Sequence, residues 1–366
     1  MNHSDFEFIR NLKISTPEDL SYAIHICGNR LDLWALTDPP RLGRFATKRA
    51  RSQAYREFQI PKRSGGFRTI CAPVRALKDI QKALNVLLQQ LVPPSDCATG
   101  FVPGRSIREN AERHLHQTCV FNTDLENFFP SISRQMVRQA LHRAIPADRL
   151  SPDVQNLICK LCTIPGPDGE EVLPQGAPTS PTLSNFVLRT LDERLAAYAD
   201  RHGCIYTRYA DDITLSHHHP GAAWHDSQTQ QVVRLIERSG FRVNPRKTRV
   251  QRRGERQEVT GLTVGTKVNV PRSYIGHLRT LLHLWKHYGY REAQTIFDRD
   301  FCGGVHKDLR SVVSGKINYL AMVKGADDST VLNYRQQLSR LIDRERLTAE
   351  FINRTISSGR SPKTTE

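Results

Sequence analysis

The chain has 366 residues, too many for one small core and enough for two or three compact domains. Its 38% hydrophobic and 25% charged residues describe a folded globular protein rather than a disordered or fibrous one. The formal net charge of +16 at pH 7 favours a polyanionic partner, most often nucleic acid, and no apolar run approaches the ~20 residues that span a bilayer, which excludes an integral membrane helix.

The opening stretch MNHSDFEFIRNLK carries acids where a secretory leader would carry bases, and no apolar block follows. The expectation is a cytoplasmic protein with no membrane partner, whose eight scattered cysteines stay reduced. Residues 1–58 read as a helical, basic region. From Arg41 to Arg68 nine basic residues face one acid, Glu57. Residues 59–72 read as a hairpin whose turn is supplied by Gly65-Gly66. Residues 75–91 place Leu77, Ile80, Leu84, Leu87, Leu88 and Leu91 on one helical face, and Pro93-Pro94 stops that helix.

Residues 119–125 alternate as a strand and are expected to pass into a helix at FFPSI. Cys159 and Cys162 form a CxxC inside the apolar stretch LICKLC; with no second ligand pair at zinc spacing, both read as core residues. Residues 183–200 read as a helix. The segment CIYTRYADDITLS, 204–216, is rich in β-formers on both sides of Asp211-Asp212, which predicts a hairpin with the two acids at its tip. His217, His218 and His219 precede Pro220-Gly221 and read as a polar surface loop. A helix over 230–239 ends at Gly240, and short strands fill 241–264. From Arg242 to Arg256 seven basic residues face one acid, Glu255. The remainder is helical: Leu278, Leu281, Leu282 and Trp285 share a face of a helix closed by Gly289, His283 and His287 lie on its surface, and Val331, Tyr334, Leu338, Leu341 and Ile342 share another. The fold class is α+β with an appended helical module.

Two adjacent acids at a hairpin tip repel each other unless a cation is present. An Asp-Asp pair alone is also a common solvated turn, so the surroundings decide. Asp124 ends another predicted strand, and three acids on neighbouring strands are the donor set that holds two Mg²⁺ for phosphoryl transfer, with Mn²⁺ a possible substitute. The three segments NTDLENFFPSI (122–132), LPQGAPTSPTLSN (173–185) and YADD (209–212) occur in that order. Together they resemble the motifs A, B and C of reverse transcriptases.

The resemblance runs from about Lys62 to Gly261 and implies a right-hand polymerase. Fingers are expected at 59–118 with part of 133–182, the palm at 119–132 and 183–264, a helical thumb at 265–350 and a flexible tail at 351–366. It implies Asp124, Asp211 and Asp212 as catalytic metal ligands. It places Lys62, Arg68, Leu125, Phe129, Gln175 and Lys247 at the incoming dNTP. Lys62 and Arg68 would neutralise the triphosphate, and Phe129 would exclude a ribose 2′-OH. Lys247 would be a general acid toward pyrophosphate. Gly176 would let backbone approach the nucleic acid. Asn110-Ala111-Glu112-Arg113-His114 and Val259-Thr260-Gly261 are similar to the NAxxH and VTG elements of retron reverse transcriptases, which implies that Asn110, His114, Val259, Thr260 and Gly261 contact nucleic acid.

A retron-type enzyme would copy part of its cognate structured non-coding RNA from a guanosine 2′-OH. The product would be single-stranded DNA branched from RNA. Host ribonuclease H would trim the template, and a separate effector protein would serve anti-phage defence. Two other readings stay open: a diversity-generating or group II intron type of reverse transcriptase, and a catalytically silent RNA-binding scaffold of a defence or toxin–antitoxin complex.

Overall fold

The structure is a computed structural model that describes residues 3–28, 37–62, 65–166, 168–218 and 224–357. Arg63, Ser64 and His219 to Gly221, and the tail beyond residue 357, lie outside the described residues. The chain divides into two compact units, Met1–Glu255 and Arg256–Glu366. No helix among the described residues is long and apolar enough to cross a membrane.

In chain order the strands are β1 (Tyr55–Pro61), β2 (Phe67–Pro73), β3 (Cys119–Asp124), β4 (Ile164–Pro165), β5 (Glu171–Val172), β6 (Ile205–Tyr209), β7 (Asp212–His217) and β8 (Arg249–Arg252) in the first unit, and β9 (Gln257–Val259) and β10 (Leu262–Val264) in the second. The first unit is built on a four-stranded antiparallel sheet in the order β6-β7-β3-β8. β3 and β7 are its inner strands and are buried almost throughout, so the polar side chains that alternate along β7 lie in the interior as well. The Arg75–Leu91 helix buries Leu77, Ile80, Leu84, Leu87, Leu88 and Leu91. Each such leucine contributes roughly 1.5–3 kcal/mol on leaving water. The Ser180–Arg201 helix buries Leu183, Phe186, Leu188, Leu191 and Leu195, and all eight cysteines are free, with Cys159 and Cys162 in the core.

Two local expectations are corrected. β3 does not run into a helix. Asn127 takes a left-handed φ of 48°, FFPSI forms turns, and the next helix begins only at Arg134, where the Ser133 hydroxyl accepts a hydrogen bond from the Met136 amide. His217 is not in a surface loop; it is buried at the end of β7 with its ring parallel to Trp224 at 6.4 Å. Gly289 closes its helix as expected: its φ of 74° and ψ of 170° are non-helical, and a second helical segment follows directly and runs to Phe301.

A buried histidine ties the sheet together. His114 has no exposed surface, and its Nδ1 and Nε2 lie 2.6 Å from Ser216 Oγ on β7 and 2.7 Å from Thr207 Oγ1 on β6. Asn110 is equally buried, and its Oδ1 accepts from Thr99 Oγ1 at 2.8 Å. Both residues were expected against nucleic acid; instead the short Ile107–Glu112 helix and the turn after it carry them inward, where His114 is paired through both ring nitrogens and Asn110 through its Oδ1. In the second unit the helices Arg272–Phe301, Leu309–Lys324 and Ser329–Ser357 each pack on the other two around Leu282, Trp285, Val313, Ile317, Leu320 and Val331. The last of them extends to Ser357, so residues 351–357 are helical rather than a loose tail.

Burial pushes the His114 imidazole down to about 3. Above the unfolded value near 6.5 the ring is neutral in both states; below it only the unfolded chain takes up the proton, so stability falls as the pH drops through that window. His114→Ala is expected to cost about 3 kcal/mol at pH 7.5 by leaving two buried hydroxyls unpaired beside a cavity. That gap narrows at pH 5, as denaturant melts at the two pH values will read. A gap independent of pH contradicts the assignment.

Candidate active site

The acids meet where the inner strands end. Asp124 is the last residue of β3 and stands opposite Asp212, the first residue of β7. The β6–β7 connection is the two-residue turn Ala210-Asp211, with Ala210 in the left-handed region at φ 57°. The Leu125 amide donates to the Asp211 carbonyl at 3.2 Å, and the Asn244 amide donates to the Asp124 carbonyl at 2.8 Å, so backbone on both sides of β3 fixes the position of its carboxylate. Asp124 is buried, while Asp211 and Asp212 are partly exposed.

Burial pushes the Asp211 and Asp212 carboxyls above the ordinary carboxylate range, and the neighbouring carboxylates push them further. Lys247 Nζ lies 2.8 Å from Asp124 Oδ2. Partial burial opposes the ammonium charge, but Asp124, Asp212 and Asp211 outweigh it and raise the lysine pKa. As they stand, the carboxylates do not form a closed metal-ligating cluster among the described residues. The donor set is nonetheless all carboxylate oxygen, crowded and short of positive charge, which suits a hard divalent cation. Asp124, Asp211 and Asp212 are the residues that would hold it.

Two other sequence segments are fixed by backbone. The Gln175 carbonyl accepts from the Cys71 amide on β2 at 2.8 Å. Gly176 has φ 126°, and a Cβ there would lie 2.9 Å from Ile70 Cγ2 and 3.1 Å from the Cys71 carbonyl oxygen. Only glycine lets this loop pass so close to β2. Phe129 is half-buried, its ring 5.0 Å from Phe128 and 6.1 Å from Phe101.

The reverse transcriptase (RNA-dependent DNA polymerase) family matches residues 60–277, more than half of the chain. The chain is 38% identical over 282 residues to the retron Mx65 reverse transcriptase of Myxococcus xanthus, covering 73% of this chain and 62% of that one. It is 38% identical over 259 residues to the retron Mx162 enzyme of the same organism, covering 63% and 52%. The retron Ec86 reverse transcriptase of Escherichia coli is 33% identical over 240 residues, covering 63% and 69%. This chain is a retron-type member of the reverse transcriptase family. It spans between half and two thirds of the length of the two Myxococcus relatives. Among solved structures, a Candida albicans telomerase bound to a telomeric RNA fragment aligns over 80% of this chain and 63% of its own, with 12% identity and a TM-score of 0.44.

Within this reverse transcriptase, Asp124, Asp211, Asp212 and Lys247 are brought together as drawn above. Lys62 and Arg68 stand exposed on the β1–β2 hairpin, at the end of β1 and opposite Ile60. The Leu125 side chain, expected at the dNTP, is buried, and its amide donates to the Asp211 carbonyl and so orders the turn. Val259 is corrected too. It is fully buried and pairs with Leu262 across the β9–β10 hairpin. Thr260 (φ 49°) and Gly261 (φ 77°) form its two-residue turn, the geometry of a type I′ hairpin. The sequence reading missed Gly100, Asn185, Asp192 and Arg208. Arg208 lies two positions before Ala210 in the stretch read only as a strand, and nothing in its spacing marked it as buried.

The raised carboxyls carry a signed consequence. Between the unfolded value near 4 and their folded values, the folded state holds more protons, so without divalent cation their contribution to stability shrinks as pH rises. In chelator, Asp212→Asn is expected to melt a few degrees above wild type at pH 8, worth on the order of 1 kcal/mol, and level with it at pH 4. Scanning calorimetry at both pH values checks this; a gain of equal size at pH 4 contradicts it.

Proposed function

We propose that this chain is an RNA-directed DNA polymerase of the retron kind. It copies part of a cognate structured non-coding RNA into single-stranded DNA from a guanosine 2′-OH, leaving a branched RNA–DNA product. The convergence of Asp124, Asp211 and Asp212 at one sheet end, in a chain of +16 net charge, carries this reading. The first unit would carry fingers and palm and the second the thumb. Partners in this reading are dNTPs, the cognate RNA and its DNA, host ribonuclease H and a separate effector for anti-phage defence, all in the cytoplasm.

Two Mg²⁺ ions, replaceable by Mn²⁺, would supply the charge that activates the attacking hydroxyl and steadies the leaving oxygens. The chain's own residues do the rest. Asp124, Asp211 and Asp212 hold the reacting groups in line. Lys62 and Arg68, exposed on the β1–β2 hairpin, draw the triphosphate in and offset its charge. Lys247, an ammonium within reach of Asp124, is placed to give its proton to the departing pyrophosphate. Gln175 and Gly176 present backbone to the template and nascent pair, and Thr260 with Gly261 offer an exposed turn to RNA phosphates. Phe129 occupies the space a ribose 2′-OH would need.

The joint substitution Asp211→Asn with Asp212→Asn is expected to lower primer extension on an RNA template by about a thousandfold or more while RNA affinity stays within a fewfold. Retained synthesis in that variant removes the site assignment. Nucleic acid extracted from protein expressed with its native flanking DNA should contain DNA whose mobility rises after ribonuclease and which keeps a debranching-sensitive RNA stub. Unbranched cDNA keeps the polymerase and removes the retron priming; RNA alone, even with Mg²⁺ and dNTPs added, favours the silent scaffold. Phe129→Ala should raise ribonucleotide incorporation relative to deoxyribonucleotide by about tenfold or more. Single-nucleotide incorporation assays with matched rNTP and dNTP read that ratio, and an unchanged ratio assigns Phe129 to packing alone.

A further inference from the structure

Arg208 and Asp192 form an ion pair with no exposed surface on either side chain. The guanidinium holds Asp192 in a fork, with Nε to Oδ1 at 2.7 Å and Nη2 to Oδ2 at 2.7 Å, and the Tyr206 hydroxyl donates to Oδ1 at 2.8 Å. A buried pair of this kind gives little net stability, since desolvation offsets the attraction, and apolar residues of similar volume hold a core as well. Its use here lies in the third nitrogen. Arg208 Nη1 donates to Asn185 Oδ1 and to the Ala210 carbonyl oxygen, each at 3.0 Å. Ala210 is the left-handed residue of the turn that presents Asp211, a conformation a non-glycine residue keeps only when its surroundings impose it.

The same turn is pressed from a second side. A Cβ built on Gly100 would lie 2.3 Å from the Ala210 amide nitrogen and 2.8 Å from the Tyr209 carbonyl carbon, so the backbone at Gly100 rests directly on the turn. Asn185 joins the two contacts: its Nδ2 donates to the Gly100 carbonyl at 3.1 Å while its Oδ1 accepts a hydrogen bond from Arg208 Nη1. The Thr99 amide completes the seam by donating to the Arg208 carbonyl at 2.8 Å.

We propose that Arg208, oriented by Asp192 and braced by Asn185, is a positioning residue for the polymerase reaction: it holds the Ala210 carbonyl, and through it the left-handed turn that places Asp211 and Asp212 beside Asp124. The inference rests on the polymerase reading of those three carboxylates. Lysine cannot substitute. A single ammonium has no fork to spend on Asp192 while also reaching the Ala210 carbonyl.

The test separates holding the fold from aiming the carboxylates. The joint apolar substitution Arg208→Met with Asp192→Leu is compared with wild type on an RNA template with a DNA primer, alongside Asp211→Asn. In the folded variant, with melting temperature and circular dichroism near wild type, kcat is expected to fall on the order of ten- to a hundredfold. The KM for dNTP stays within about twofold, because its triphosphate contacts lie elsewhere, and the Mg²⁺ concentration for half-maximal rate rises several-fold. Asn185→Ala changes a partly exposed position, keeps the ion pair and removes one Nη1 acceptor. It gives the same pattern in weaker form and serves if the apolar pair does not fold. A folded apolar variant, or Asn185→Ala, with kcat and Mg²⁺ dependence within twofold of wild type overturns the positioning role if Asp211→Asn is inactive. If Asp211→Asn is itself active, the reading of the carboxylates fails and the positioning role falls with it.

Discussion

Three carboxylates crowd one end of a buried sheet, and the first unit has to hold them there against their own repulsion. Like charges a few ångströms apart in a partly dry site raise one another's pKa, as Asp211 and Asp212 show, and a lone lysine offsets only part of it. A sheet end left to relax would splay. The surrounding structure answers with backbone rather than with charge: the Asp211 carbonyl is taken by the Leu125 amide and the Asp124 carbonyl by the Asn244 amide. Neutral backbone contacts fix position without cancelling the negative field, so the site stays electron-rich and receptive to a cation. A ring of salt bridges would have quietened the repulsion and the chemistry together.

The same logic explains why polar residues line the interior behind the site. His114 joins β6 to β7 through two hydroxyls, and Arg208 with Asp192 fills the space beneath the turn. Each is fully satisfied locally, which keeps burial tolerable. Apolar side chains could fill those volumes but could not specify register, because hydrophobic contact does not distinguish a strand from the same strand shifted by two residues. Directional bonds do. The cost in stability is accepted where the position of a carboxylate decides function.

Much of this was legible in the sequence. The β6–β7 hairpin, with its acids at the tip, follows from β-formers flanking Asp211-Asp212. The Arg75–Leu91 helix emerges over the residues its leucine spacing marks. Motif letters located the three aspartates. What the letters could not say is which way a side chain points. Asn110 and His114 are assigned to nucleic acid because their spacing resembles a family element, yet the short helix and turn carrying them face inward. Val259 fails for the same reason, since one residue further along the hairpin is turn and its own position is core. Leu125 shows the subtler limit: its backbone orders Asp211, and a backbone role leaves no trace in side-chain chemistry. Arg208 was invisible because a buried arginine and an exposed one are written with the same letter.

Charge separation ties the local site to the whole chain. The net +16 is concentrated in segments such as 41–68 and 242–256, while the sheet end itself is acidic. In the proposed polymerase a polyanion would be attracted to the protein and repelled from its centre unless it brought cations with it, and the β1–β2 hairpin would ease that step. Its Lys62 and Arg68 are exposed, and the same hairpin is stitched to the Gln175–Gly176 loop by the Cys71 amide and a contact that only glycine allows. The cations proposed to receive a triphosphate and the backbone proposed to meet the base pair are thus carried on one joined element. A hairpin displaced by substitution at Gly176 would move both at once. The hairpin and the loop are thus coupled by one backbone hydrogen bond and one close non-bonded contact rather than by charge.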